Sequence, residues 1–216
     1  MIKVKKFVFN TVMENTYVVS DTETKETAII DCGCMFEEEQ NKLKRYIEEE
    51  KLIPKLLLST HLHFDHVWGN DFAMKTWNLI PKSSKEDAIG MPSPEEQTGG
   101  FMPGKIKNTP IDYIEPGDKL QLGKFEIEVL MVPGHTPGHL AFYIPQAKCL
   151  FAGDILFYEE IGRCDLWGGS FDNMIKYTRS ELLTLPDDTT VYCGHGPETT
   201  IGHEKSNNPY YRSYYN

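Results

Sequence analysis

Short stretches in which apolar and polar residues alternate open the chain, and the period lengthens only later. Residues 3–9 (Lys-Val-Lys-Lys-Phe-Val-Phe), 16–20 and 27–31 read as strands bounded by polar turns. Over 36–50 the spacing becomes helical: Phe36, Leu43 and Ile47 share one face, and Glu37 to Glu39 set negative charge at the N-terminal end, where the helix dipole favours it. Pro54 separates this helix from a buried strand at 55–59, which runs straight into Thr60-His61-Leu62-His63-Phe64-Asp65-His66. Strands resume at 125–132, 140–144 and 149–151. Phe171, Met174, Ile175, Thr178 and Leu182 mark a second amphipathic helix with Ser170 placed to cap it, and 191–193 is a last short strand.

Residues 81–118 fit neither period. Six prolines and several glycines interrupt them, and Thr98-Gly99-Gly100-Phe101-Met102-Pro103-Gly104 reads as an exposed loop. Long irregular loops in compact domains are usually functional, so about 81–118 is a candidate substrate flap. There is no internal repeat and no second hydrophobic core, which predicts one domain over 1–216. Strands followed by helix and strand recur in each half, predicting an α/β layered architecture.

Composition narrows the function classes. A chain of 216 residues buries roughly 70% of its unfolded surface, so its core needs no staples. With 40% hydrophobic and 25% charged residues it is neither disordered nor fibrous. Lys plus Arg is 22 against 32 Asp plus Glu, a net charge of −10. That balance repels phosphate backbones and anionic lipid surfaces, so neither a nucleic-acid nor a membrane partner is expected. No apolar run spans a bilayer, and the charged start Met1-Ile2-Lys3-Val4-Lys5-Lys6 lacks the apolar segment of a secretory signal. Five cysteines, an odd number, predict reduced thiols in a cytoplasm.

The chemistry lies in the histidines. Of seven, at 61, 63, 66, 135, 139, 195 and 203, three fall in His61-x-His63-x-Asp65-His66 at a strand end. In an extended segment His61 and His63 point the same way and can meet one ion. A turn after them lets Asp65 and His66 aim at a neighbouring position. The plain alternative is a polar loop capping strand ends, but three imidazoles and a carboxylate this close would repel or shift their pKa values without a metal. His135 (in Val132-Pro133-Gly134-His135-Thr136-Pro137-Gly138-His139), Asp154 (after Ala152-Gly153) and His195 (in Cys193-Gly194-His195-Gly196-Pro197) repeat the pattern of a strand running out into a glycine-bordered turn. Each is weak alone; together they offer imidazoles and carboxylates suited to zinc, iron or manganese, and seven ligands are too many for one tetrahedral site.

Thr60-His61-x-His63-x-Asp65-His66 followed by His135, Asp154 and His195 resembles the metallo-β-lactamase fold superfamily over nearly the whole chain. The resemblance implies an αβ/βα four-layer sandwich, two mixed sheets face to face with helices outside and the site at one edge. It implies that His61, His63 and His135 hold one metal, that Asp65, His66 and His195 hold a second, and that Asp154 bridges them. Two divalent ions, zinc foremost with iron or manganese as alternatives, would share a bridging hydroxide, with Asp65 and Asp154 as the catalytic carboxylates.

Within the superfamily, many β-lactamases carry cysteine or serine where this chain has Asp154. Residues 60–70, 133–139, Ile161-Gly162-Arg163-Cys164-Asp165-Leu166-Trp167-Gly168-Gly169-Ser170, and 194–202 with Asn208-Pro209 are instead similar to glyoxalase II and short bacterial hydrolases like it. This implies a small-molecule thioester or ester substrate. Glyoxalase II has a further C-terminal helical domain that helps hold glutathione, whereas this sequence ends at Asn216, so the expectation stops short of glutathione. A lactonase of the same fold and a persulfide dioxygenase with one iron on His61, His135 and Asp154 are the rivals. Arg163 is a candidate substrate contact or a partner of Asp165. His139 reads as a support near the His135 turn, His203 as a surface residue, all five cysteines as structural thiols, the Glu-rich helix as a solvated face, and Tyr210, Tyr211, Tyr214 and Tyr215 as docking aromatics. Oligomeric state is left open.

Overall fold

Two six-stranded sheets stack face to face in the computed structural model, which describes residues 1–102 and 104–214. The first sheet runs in chain order: β1 (Ile2–Phe9), β2 (Glu14–Asp21), β3 (Glu26–Ile30), β4 (Ile53–Leu58), β5 (Pro81–Ser83) and β6 (Asp112–Tyr113). The pairs β1–β2 and β2–β3 are antiparallel and the rest parallel. Between these strands lie α1 (Glu37–Glu49), α2 (Phe64–Val67), α3 (Asn70–Trp77), α4 (Lys85–Gly90) and α5 (Pro94–Thr98). The second half supplies β7 (Lys119–Leu122), β8 (Phe125–Met131), β9 (Leu140–Ile144) and β10 (Cys149–Gly153), then a ribbon of β11 (Leu156–Phe157) and β12 (Glu160–Ile161), then α6 (Phe171–Tyr177), β13 (Thr190–Cys193), β14 (Thr199–Thr200) and α7 (Ile201–Asn207). Its sheet is ordered β14-β13-β10-β9-β8-β7.

Period-two alternation explains the layering, because successive side chains of a strand leave opposite faces. Ala28 and Ile30 of β3 and Leu140, Phe142 and Ile144 of β9 meet between the sheets, together with Tyr17, Val19, Ile127 and Phe151. Their neighbours Ile29, Val18 and Leu57 face outward under α1, through Leu43 and Ile47, and under α3, through Ala73. On the opposite side Ala141, Tyr143 and Leu150 face Met174 of α6 and Ile201 of α7, with Tyr211 fully buried beside them. Among the described residues a fourth cluster gathers Met35, Leu62, Val67, Trp68 and Ile106, so the apolar residues form several packed clusters rather than one core, and the architecture is the αβ/βα sandwich. Tyr215 and the side chain of Tyr214 lie outside the described residues. Among the described residues no helix is long and apolar enough to cross a membrane.

Four expectations need correction. Phe36 does not join the face of Leu43 and Ile47; it is the exposed N-cap of α1. The acidic start of that helix is also more than a solvated face, since Glu39 accepts hydrogen bonds from the backbone N–H groups of Asn10, Met35 and Phe36 at 2.8, 2.8 and 3.0 Å. Pro54 sits inside β4 rather than before it, and the β3–β4 register shifts there, where a missing N–H can be accommodated. Finally, 81–118 is not one irregular loop, because β5, α4, α5 and β6 occupy much of it. Ser84 caps α4 by accepting from the Asp87 N–H, and Ser93 with Glu96 forms a capping box around Pro94 at the start of α5.

Candidate metal centre

All seven candidate ligands emerge at one edge of the sandwich. His61 follows β4, His135 lies in the turn between β8 and β9, Asp154 follows β10, and His195 follows β13. After His63 the single turn of α2 swings Asp65 and His66 back toward the same point. Two glycines make the convergence possible. Gly153 takes a left-handed φ of 52° immediately before Asp154. A Cβ on Gly194 would fall 2.1 Å from Asp154 Oδ1, so only glycine lets that carboxylate in.

The donor atoms assemble in three overlapping groups, His61–His63–His135, His61–His66–Asp154 and Asp65–His66–His195, each with its atoms within 4.8 Å of one another. His63 Nδ1 and His135 Nε2 are 2.8 Å apart. Asp154 reaches both sides: its Oδ1 is 3.4 Å from His66 Nε2, and its Oδ2 is 3.6 Å from both His135 Nε2 and His195 Nε2. Asp65 Oδ2 lies 3.2 Å from His195 Nε2.

The surroundings set which ring nitrogens are bare. The Thr60 hydroxyl donates its single proton to Asp31 Oδ2 at 2.8 Å, so at 3.0 Å it accepts from His61 Nδ1. His135 Nδ1 donates to the Arg163 carbonyl at 2.8 Å. Both arrangements leave Nε2 as a lone-pair donor, in the way metal-ligating histidines are oriented by a second hydrogen bond. His61 Nε2, His66 Nε2 and Asp154 Oδ1 are buried without a hydrogen-bond partner. Unsatisfied buried polar atoms are costly and rare, and three that converge on one spot fit a cation there.

Charge divides the site into two parts. Burial, reinforced by the neighbouring histidines, pushes His61 well below the ordinary imidazole value, and burial pushes His63 down to about 3 and lowers His135. These three are neutral donors at pH 7. Burial also opposes charge on His66, but Asp154, Asp65 and Asp31 outweigh it and raise its pKa well above normal. Burial works against both carboxylates as well, yet His66 and His195 hold Asp65 and Asp154 below the usual range. A pair of anions thus demands positive charge at this spot.

The remaining candidates separate cleanly. His139 is fully buried, stacks on His61 with ring centroids 4.8 Å apart, and accepts the Asp154 N–H at Nε2 (3.1 Å), so it supports the Asp154 turn. His203 is away from the centre, with Nε2 2.9 Å from Glu159 Oε1. The Arg163 guanidinium pairs two-pronged with Asp165 at 2.8 and 2.9 Å while its carbonyl holds His135. All five cysteines are unbridged.

Apart from His139, sequence reasoning missed the supporting residues. Asp31 accepts from the Thr60 N–H at 2.7 Å and lies 3.1 Å from His66 Nδ1. It follows β3 and precedes Cys32-Gly33, the same strand-into-glycine signal that picked out Asp154. Asp87 is buried between the flap and the His135 turn, accepting from Thr136 Oγ1 and the Gly138 N–H, both at 2.7 Å. Burial pushes its carboxyl up to about 6 despite these bonds. An ordinary aspartate titrates near 3.8, so the folded protein holds this proton more tightly than the unfolded chain does. Its contribution to stability is complete below pH 4 and is lost as pH rises from about 4 to about 6, by roughly 3 kcal/mol. Urea titrations across this window should show Asp87→Asn gaining on the wild type by about that amount as pH rises; parallel curves would contradict the assignment.

A cavity of about 620 Å³ opens over the centre, lined in part by His63, Asp65, His135, Asp154 and His195. With fold and site in view, the class follows. Residues 10–195 match the family model of the metallo-beta-lactamase superfamily, and the chain belongs to that superfamily. It is 38% identical over 207 residues to the hydroxyacylglutathione hydrolase GloC of Haemophilus influenzae, covering 93% of each chain. Among solved structures it resembles the BLEG-1 B3 metallo-beta-lactamase (TM-score 0.86, 30% identity, 97% of this chain and 99% of that one). It also resembles TTHA1623 in a di-iron-bound form (TM-score 0.83, 33% identity, 96% of this chain and 100% of that one).

Proposed function

We propose that the protein is a binuclear metal-dependent hydrolase acting on a small-molecule thioester or ester. The observation that carries this reading is the placement of Asp154, whose two oxygens face both histidine groups. In this reading His61, His63 and His135 hold one ion, Asp65, His66 and His195 hold the other, and Asp154 serves both. Imidazole and carboxylate donors suit zinc, with iron or manganese as alternatives, and the resemblance to TTHA1623 keeps iron in view. Bound ions of this kind lower the pKa of a water toward neutrality and polarise a carbonyl. Asp65 and Asp154, both facing the cavity, would orient the attacking water.

The cavity offers no competing nucleophile: no serine, threonine, cysteine, lysine or tyrosine is among the described residues lining it. Thr60, which is bonded to His61, is buried and committed to Asp31. A mononuclear iron dioxygenase would use His61, His135 and Asp154 and leave the Asp65–His66–His195 group without a task. The five free thiols suit a reducing compartment, and we place the protein in the cytoplasm. The test is hydrolysis of thioesters, lactones and a β-lactam by metal-loaded protein. Turnover of a thioester or ester that chelator abolishes and added metal restores is the expected result. Oxygen consumption with a persulfide, in the absence of any hydrolysis, would replace this reading with the dioxygenase.

A further inference from the structure

Away from the histidines, the cavity changes character. Val12, Met91, Phe101, Phe157, Leu166 and Trp167 form its walls and mouth. Four of them are unusually exposed for apolar side chains, Phe101 at 74%, Val12 at 42%, Leu166 at 41% and Trp167 at 40%. Exposed apolar residues gathered at the mouth of a reactive cavity mark a surface that a ligand covers. Among the described lining residues Arg163 is the one cationic side chain other than histidine, and Asp165 already engages it through two hydrogen bonds. Among the described lining residues no second cation joins Arg163 to build a site for a remote carboxylate or phosphate, and the net charge of −10 adds to the repulsion of an anionic carrier.

The Trp167 side of the wall and the base of the flap are also held in place. The Trp167 indole rests on Gly90 at the end of α4, where a Cβ would lie 2.8 Å from the ring. On the next residue, Gly168, a Cβ would lie 2.3 Å from the Pro137 ring beside the His135 turn. Gln97 ties the flap to the ligand loop on either side of His63. Its Nε2 donates to the Leu62 carbonyl at 2.9 Å, and its Oε1 accepts the Phe64 N–H at 3.0 Å. Preformed walls of this kind bind a complementary group without the cost of ordering them.

We propose that the substrate of this site carries, beyond its scissile carbonyl, an uncharged apolar group of acyl-chain or aryl type that packs against Trp167 and Leu166, rather than an anionic thiol carrier such as glutathione. This rests on the hydrolase reading and narrows it to a substrate class. Each methylene buried against such walls is worth about fourfold in affinity.

The experiment compares kcat/KM of the metal-loaded protein on acetyl, hexanoyl and benzoyl thioesters of one small neutral thiol and on lactoylglutathione. In parallel, binding of the non-hydrolysable hexanoyl amide is measured by calorimetry. Hexanoyl should exceed acetyl by at least about tenfold, lactoylglutathione should be the poorer substrate, and the amide should bind. Trp167→Ala should erase the chain-length gain through KM and weaken amide binding, with Trp167→Phe restoring part of both. Hydrolysis with no chain-length gain, or with lactoylglutathione preferred, overturns the apolar assignment and leaves the hydrolase standing. Amide binding that depends on Trp167, with every thioester and ester inert, keeps the apolar site and removes the hydrolase. Neither binding nor hydrolysis overturns both.

Discussion

Replacing Asp154 with Ala should cost the protein about one bound metal ion per chain and slow turnover by at least about a hundredfold, since even residues that merely orient metal ligands cost 10–100-fold when lost. The expectation comes from reach. Among the described residues Asp154 is the one carboxylate whose oxygens approach His66, His135 and His195 together, so its removal separates the two groups of donors. The fold should survive, because the Asp154 backbone N–H remains bonded to His139 and the turn depends on Gly153. Asp154→Asn, which keeps the shape but drops the charge, should fall between the two. Metal analysis, steady-state kinetics and a thermal melt on the same preparations separate these effects. Full activity in the Ala variant would sink the bridging role.

The second large effect is expected at Asp31, which is not among the residues lining the cavity over the centre. Asp31→Ala should lower stability by about 3 kcal/mol, because the buried Thr60 N–H and hydroxyl lose their acceptor. For a chain of this size that corresponds to a Tm lower by roughly 6–12 °C. Asp31 also sits at a φ of 53°, a left-handed conformation that aspartate and asparagine tolerate better than alanine. Asp31→Asn should therefore recover part of the loss. The melts belong on metal-free protein, since bound metal adds stability by mass action and would mask the difference. The metal-loaded variant should in addition hold its second ion more weakly, because His66 Nδ1 loses the carboxylate 3.1 Å away. A melt within a degree or two of wild type would mean that Asp31 is replaceable by water.

The candidate ligands were legible in the sequence because each stands where, or just after, a strand runs out. The C-terminal ends of β4, β8, β10 and β13 come to one edge once the sheets stack, and the residues following them come too. The strand at 140–144 is legible to its ends because both its faces are buried and its flanks are turn residues. The flap is not, for the opposite reason. Its prolines read as breakers, yet Ser93-Pro94-Glu95-Glu96 is a helix start, with the serine capping, the proline in the first turn and the glutamate closing the box. The eight residues of α3 were hidden behind the ligand motif. The supporting shell was illegible on physical grounds. Asp31 meets Thr60 across 29 residues, Asp87 meets Gly138 across 51, and Gln97 meets Leu62 across 35. Contacts of that span exist only after the fold has formed; Asp31 at least carries the local strand-into-glycine signal, whereas nothing local marks Asp87 or Gln97 as one end of them.

The central claim is that two ions share this centre, and metal analysis of protein purified without added metal or chelator tests it most directly. The account predicts about two divalent ions per chain, zinc alone or mixed with iron or manganese. A single iron per chain, or metal-free protein that cannot be reloaded, would contradict it.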